Sequence, residues 1–161
     1  MTKIINATDF GIIPGAETAE KLHCLMLELA REEGGKQLNF QAGIYYIDAD
    51  KLPQKSMFIT NTVGDNEWKR GEEPHLNRAG ILMENISDLT IEGRGARFVL
   101  RGSACNAVIR NCFNVTVKDV SFDSENPDMH ELTVIRRGAF YIDYAVDKYS
   151  VSSHCVSTQE K

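Results

Sequence analysis

Four carboxylates crowd one short stretch: Asp119, Asp123, Glu125 and Asp128. Two carboxyl groups about 6.5–9.5 Å apart, with a water between them, can hydrolyse a glycosidic bond with inversion. A sugar-facing pair is therefore chemistry this stretch could perform. The plainer reading is that these are solvated turn acids, helped by the break at Pro127. Trp68 is the other candidate, set among Asn66, Glu67, Lys69 and Arg70. An indole face stacks on a sugar ring while polar neighbours reach its hydroxyls, so Trp68 is the expected substrate-binding residue; the competing role is a loop anchor. The histidines (His23, His75, His130, His154) are scattered. His154-Cys155 lies in a polar tail and makes no metal constellation. His130 beside Asp128 reads as a surface residue. No metal and no cofactor are expected. A calcium-dependent lyase would need an acidic cluster with basic partners to abstract a sugar proton, and the acidic stretch lacks an evident one.

Gly93-Arg94-Gly95 follows a strand pattern, but no helix opens after it, which dinucleotide binding requires. It reads instead as a sharp corner in which glycine supplies positive φ. Asn6-Ala7-Thr8, Asn85-Ile86-Ser87 and Asn114-Val115-Thr116 match the N-glycosylation acceptor pattern. The last two are better read as corner residues whose amides satisfy backbone groups from one coil to the next.

The elements that would position these residues come from a near-repeat. Gly80 to Gly93 aligns with Asn106 to Asp119, bringing Asn85 onto Asn111 and Leu89 onto Val115 at an offset of 26 residues. Short β-branched runs joined by turns make the repeating unit strands and corners. Ahead of it, residues 4–10 read as a strand and Glu17 to Glu33 as an amphipathic helix. Its stripe is Leu22, Leu25, Met26, Leu29 and Ala30, and Gly34-Gly35 ends it. Two strands follow, Lys36 to Phe40 and Gly43 to Ile47, around a corner at Gln41-Ala42-Gly43. Residues 48–78 are polar and irregular, a length that usually signals function or disorder. A third strand is expected at Ala96 to Leu100. Glu131 to Arg136 and Ala139 to Val146 read as an antiparallel hairpin, and Ser150 to Lys161 as a polar tail.

The 161 residues carry 23 carboxylates against 18 Lys and Arg, which opposes a general nucleic-acid footprint. No apolar run has the length to span a bilayer. The chain opens without a secretory leader pattern. Cys24, Cys105, Cys112 and Cys155 lack paired spacing, so free core thiols in a reduced, cytoplasmic setting are expected.

Residues 4–47 resemble the opening of pectin-lyase-like β-helix proteins, through Thr8-Asp9-Phe10-Gly11, Gly34-Gly35 and Phe40-Gln41-Ala42-Gly43-Ile44-Tyr45. The middle resembles the glycoside hydrolase family 110 α-galactosidases. It does so through Ser56 to Thr62, Asn77-Arg78-Ala79-Gly80-Ile81, Asn85 to Phe98 and Val120-Ser121-Phe122-Asp123. The resemblance implies a right-handed parallel β-helix. It also implies metal-free, inverting removal of terminal α-1,3-linked galactose, and an inserted β-barrel beginning near the hairpin. The family is several times longer, and its catalytic aspartates lie on later coils, so no catalytic position is carried over.

The resulting expectation is an all-β chain, a partial right-handed parallel β-helix with an N-terminal capping helix. Residues 1–128 would form the capping helix and first coils, 129–150 the start of an inserted barrel or hairpin, and 151–161 a tail. It would be an N-terminal portion of an exo-α-galactosidase, inactive alone, with a carbohydrate as its partner. It would bind neither nucleic acid nor membrane and would self-associate through its open end. The rival readings are a non-catalytic carbohydrate-binding or tailspike-type module and a polysaccharide lyase.

Overall fold

A computed structural model describes residues 2–57, 76–125 and 132–146. They are mostly strand. The elements run β1 (Lys3–Asn6), α1 (Ala19–Leu29), β2 (Lys36–Asn39), β3 (Gly43–Asp48), β4 (Lys55–Ser56), β5 (Leu76–Asn77), β6 (Ala79–Glu84), β7 (Ser87–Arg101), β8 (Cys105–Arg110), β9 (Phe113–Ser124), β10 (Leu132–Arg137) and β11 (Ile142–Val146). The chain divides into two compact units, Met1–Asp123 and Ser124–Lys161.

In the first unit the long pairings are parallel. β1 lies on β2, and β2 on the first half of β7, with Leu38 beside Ile91. β3 lies on the second half of β7, with Tyr45 beside Phe98. β9 joins the same sheet through β7. β6 and β8 form a separate parallel pair in which Ile81 meets Ala107 and Met83 meets Ile109. The sequence repeat therefore acts as a spatial register, since each of these β6–β8 partners is one repeat apart. Among the described residues of this unit, the short β4–β5 pair is the antiparallel one.

The corners follow the same rule. Among the described residues, the non-glycine ones with left-handed φ are Asn85 (57°), Asp88 (54°), Arg94 (52°), Asn111 (51°), Asn114 (53°) and Asp119 (53°). Asn85 and Asn111 are repeat partners, as are Asp88 and Asn114. Asn and Asp enter this region at least cost among residues with a side chain. The Gly93-Arg94-Gly95 corner differs from expectation in one respect. Arg94 and Gly95 carry the positive φ, and Gly93 does not. Gly93 is needed for close approach: a Cβ there would lie 2.2 Å from the Asp119 carbonyl oxygen on the following turn.

Inward residues form one apolar core, with Ile5, Leu38, Leu89, Ile91, Ile81 and Met83 joined by the stripe of α1. Leu22, Leu25, Met26 and Leu29 are all buried, and α1 packs most extensively on β6. An aromatic group fills the bend between β2 and β3. Phe40 meets Tyr45 and Phe98 edge-on at 5.6 and 5.3 Å, and Tyr45 stacks on Phe98 at 5.2 Å. The Tyr45 hydroxyl donates to the Gln41 carbonyl at 2.9 Å, tying down the corner it follows. Phe98 also stacks on Phe122 at 5.8 Å, carrying the aromatic stack to β9.

Several boundaries differ from the sequence expectation. The first strand stops at Asn6, and Ala7–Phe10 is a 3-10 turn closed by Gly11 at φ 68°. The helix spans Ala19–Leu29 rather than Glu17 to Glu33. β3 captures the first residues: Glu17 bridges to Tyr46, and the Thr18 hydroxyl donates to the Tyr46 carbonyl at 3.0 Å. Past the helix end, the buried Lys36 ammonium donates to the carbonyls of Glu32 (2.6 Å) and Gly34 (3.0 Å). The expected strand at Ala96 to Leu100 is the second half of the continuous β7. Cys24 is exposed rather than a core thiol, while Cys105 and Cys112 are half-buried and in no disulfide. In the second unit, β10 and β11 pair antiparallel, with Leu132 opposite Val146.

Candidate functional site

The acidic stretch does not converge on a free carboxyl pair in the described residues. Asp119 occupies a left-handed corner, and its carbonyl abuts Gly93. Asp123 forms an ion pair with Arg97, 26 residues earlier. Asp128 and His130 lie outside the described residues, as do Trp68, His75, His154 and Cys155. Among the described residues no group of three or more His, Cys, Asp or Glu is arranged to hold a metal ion.

The strongest electrostatic cluster was not singled out in the sequence. Glu84, at the end of β6, accepts from Lys55 at 2.5 Å and from the Arg110 Nε at 2.7 Å. Arg110 also donates to the Ser56 carbonyl at 3.2 Å. The Lys55 and Arg110 hydrogen bonds outweigh partial burial and hold the Glu84 carboxyl below its usual value. His23 is held below its usual value by burial and by the Lys55 charge. A signal for the cluster existed, because Glu84 and Arg110 are repeat partners of opposite charge.

This cluster clamps the β4–β5 stem. Met57 is buried in a small apolar group with Ala79 and Leu82, and the Asn77 amide donates to the Met57 carbonyl at 2.6 Å. Arg78 donates to the Leu52 carbonyl at 3.4 Å. Beside the stem is a cleft of about 410 Å³ lined by Gln54, Asn77, Arg78, Ser103 and Cys105, with Leu76 and Ala104 as its apolar part. Amide, guanidinium and hydroxyl groups around an apolar patch suit a hydroxyl-rich ligand in principle. Here Asn77 and Arg78 already hold backbone carbonyls, so the cleft's polar groups serve the stem first.

A second charged group fixes the helix start. Glu17 accepts from the Ala19 N–H at 2.8 Å and the Asp48 N–H at 3.3 Å, and pairs with Lys51 at 3.2 Å. Burial works to raise its carboxyl, but these donors outweigh it and the net shift is downward. On the outer face Arg101 lies over the Tyr46 ring at 4.1 Å. All of these contacts hold strands and turns in place.

The relatives of this chain carry the functional information. It is 28% identical over 149 residues to an α-1,3-galactosidase B of Bacteroides thetaiotaomicron, covering 92% of the chain and 23% of that protein. It is 31% identical over 101 residues to an α-1,3-galactosidase A of Peterkaempfera griseoplana, covering 62% of the chain and 13% of that protein. The chain is related to the α-1,3-galactosidases. A third such relative, the α-1,3-galactosidase B of Akkermansia muciniphila, is 23% identical over 147 residues, 90% of the chain and 17% of that protein. This agrees with the family 110 resemblance read from the sequence. The chain spans less than a quarter of the length of these curated relatives. No protein-family model matches it.

Proposed function

We propose that the chain supplies the opening coils of an inverting exo-α-galactosidase acting on terminal α-1,3-linked galactose, and that it has no hydrolytic activity by itself. The similarity over 149 residues to an α-1,3-galactosidase B carries this reading. The engagement of Asp123 by Arg97 supports its second half. Inverting hydrolysis needs one carboxyl to protonate the leaving oxygen and another to activate water. Here those groups would come from coils outside these residues.

The scaffold in this proposal is a right-handed parallel β-helix with α1 over its first coil. Its support is the set of parallel pairings, the 26-residue separation of Glu84 from Arg110 and of Arg97 from Asp123, and the left-handed corners at repeat-related positions. The β10–β11 pair would begin an inserted barrel, and exposed Val134, Ile142 and Tyr144 suit strands awaiting neighbours. Trp68 is the proposed sugar-stacking residue.

Two experiments test the proposal. The purified chain, incubated with α-1,3-linked galactosides, is expected to release no galactose. Turnover that vanishes in Asp123→Asn would place the chemistry within these residues and overturn it. Residues 2–125 are also expected to replace the matching segment of the Bacteroides thetaiotaomicron relative with hydrolysis retained. A folded but inactive chimera would overturn the scaffold assignment.

A further inference from the structure

His23 lies where α1 meets the β4–β5 stem. It is half-buried, on the side of α1 that carries the buried Ala19 and Met26 about one turn away. α1 packs most extensively on β6, and β6 ends at Glu84, the carboxylate that holds Lys55 of β4. Burial and the Lys55 charge both disfavour a proton on the ring, and among the described residues no carboxylate pairs with it. The charges nearby are committed elsewhere. Glu84 is shared by Lys55 at 2.5 Å and Arg110 of β8 at 2.7 Å. Asp48 accepts from the Asp50 N–H at 3.1 Å, Asp50 pairs with Arg78 at 3.8 Å, and Lys51 pairs with Glu17 at 3.2 Å. Glu20, one turn earlier on α1, is exposed. The stem itself is slight: Lys55 faces Asn77, Ser56 faces Leu76, and Arg110 donates to the Ser56 carbonyl.

We propose that His23 is a pH-responsive latch on this stem: a proton on its ring sets a third cation beside Lys55 and Arg110, with Glu84 alone to balance them, and loosens β4–β5 from α1. The strain falls on the weakest element of the cluster, because β4 and β5 are two residues each while α1, β6 and β8 are long and share the core. The closed stem favours the neutral ring. Closure is therefore fully present above the ordinary histidine value of 6.5 and is lost as the pH falls below it, through the lower value of the folded chain. Glu84 does not act in this window, because its carboxyl is held below 4.5. Leu76 and Asn77 of the stem also wall the neighbouring cleft, so the cleft changes shape as the stem loosens. The inference is independent of the galactosidase reading.

Methionine-methyl NMR of the full chain tests it. Met57 follows β4 directly and is buried with Ala79 and Leu82, so its methyl reports closure of the stem. Met26, buried on α1 within the main core, reports the rest of the fold. Between about pH 7.5 and about pH 5.5 the Met57 methyl should move toward its solvent-exposed position, the ratio of open to closed stem rising at least about threefold. The Met26 methyl should stay in place. His23→Gln should abolish the Met57 movement. Lys55→Gln, a second variant, should raise the pH at which the His23 ring protons titrate, because it removes the cation that opposes them. A Met57 methyl indifferent to pH, or one that moves equally in His23→Gln, would overturn the proposal. So would a His23 titration unchanged by Lys55→Gln, or a Met26 methyl that moves together with Met57, which would mean that the whole fold responds rather than the stem.

Discussion

Gly93→Ala is the substitution that most directly tests how the turns of this chain stack. The new Cβ would meet the Asp119 carbonyl oxygen at 2.2 Å, Val120 Cγ2 at 2.5 Å and the Asp119 carbonyl carbon at 2.8 Å. Two of these three atoms are backbone, so no rotamer change relieves the overlap. Gly93 does not have positive φ, so the effect isolates packing from backbone strain. Overpacking of a close-fitting interior costs about 1–3 kcal/mol and sometimes more. In a chain of this size that corresponds to a fall of about 2–12 °C in Tm, at about 2–4 °C per kcal/mol. Gly15 is the control: its φ is +83° and nothing lies within 4 Å of a Cβ there. Gly15→Ala should cost only the left-handed backbone term of about 1–2 kcal/mol. Adding Val120→Ala to Gly93→Ala should not restore stability, because the Asp119 carbonyl remains. A Gly93→Ala protein that melts with the parent, or complete rescue by Val120→Ala, would refute the close approach of these two turns.

Two further outcomes follow from the packing and the charges. Leu25→Ala, at a buried position of α1 within the core, should cost about 2–5 kcal/mol in urea unfolding, and coincident curves would mean that α1 does not seal the core. Glu84 has a carboxyl held below its usual value by Lys55 and Arg110, so its contribution is present above the unfolded-state pKa and lost as pH falls through the folded one. Glu84→Gln should therefore be less stable than the parent at pH 7, with the gap closing as the pH falls below the usual carboxylate range; a gap that is constant with pH would show that the ionised carboxyl contributes nothing specific.

The sequence made the stacking legible because its two signals, apolar alternation and Asn or Asp at corners, recur together at one offset. The offset predicts the β6–β8 register residue for residue, from Ala79–Cys105 to Glu84–Arg110. It misses details set by other elements. The helix loses Glu17 and Thr18 because β3 holds them, and the local pattern of those residues contains nothing about Tyr46. Asn114 was expected to behave like Asn85, but its amide donates to Asp88 at 2.6 Å, one repeat back. The acidic stretch shows the same limit for the site. No basic partner stands near Asp123 along the chain, yet Arg97 stands beside it in space. In stacked turns, the neighbours of a side chain are found one repeat away.

That rule bears on where catalysis can occur. Glu84 pairs with Arg110, Asp88 with Asn114, Glu92 with Lys118 and Asp123 with Arg97, each across 26 residues. Exposed pairs of this kind contribute at most about 1 kcal/mol each, so bulk stability is a poor account of four of them. Register is a better one, since a slip of one residue would misplace every pair together. Glu84 and Glu17 are shifted downward by their donors, and Glu32 by the Lys3 hydrogen bond. A general acid working near neutral pH needs the opposite shift, a carboxyl kept protonated by burial or a like charge. The pairs across 26 residues align strands, and the downward shifts of Glu84, Glu17 and Glu32 run against the role of proton donor to a leaving sugar.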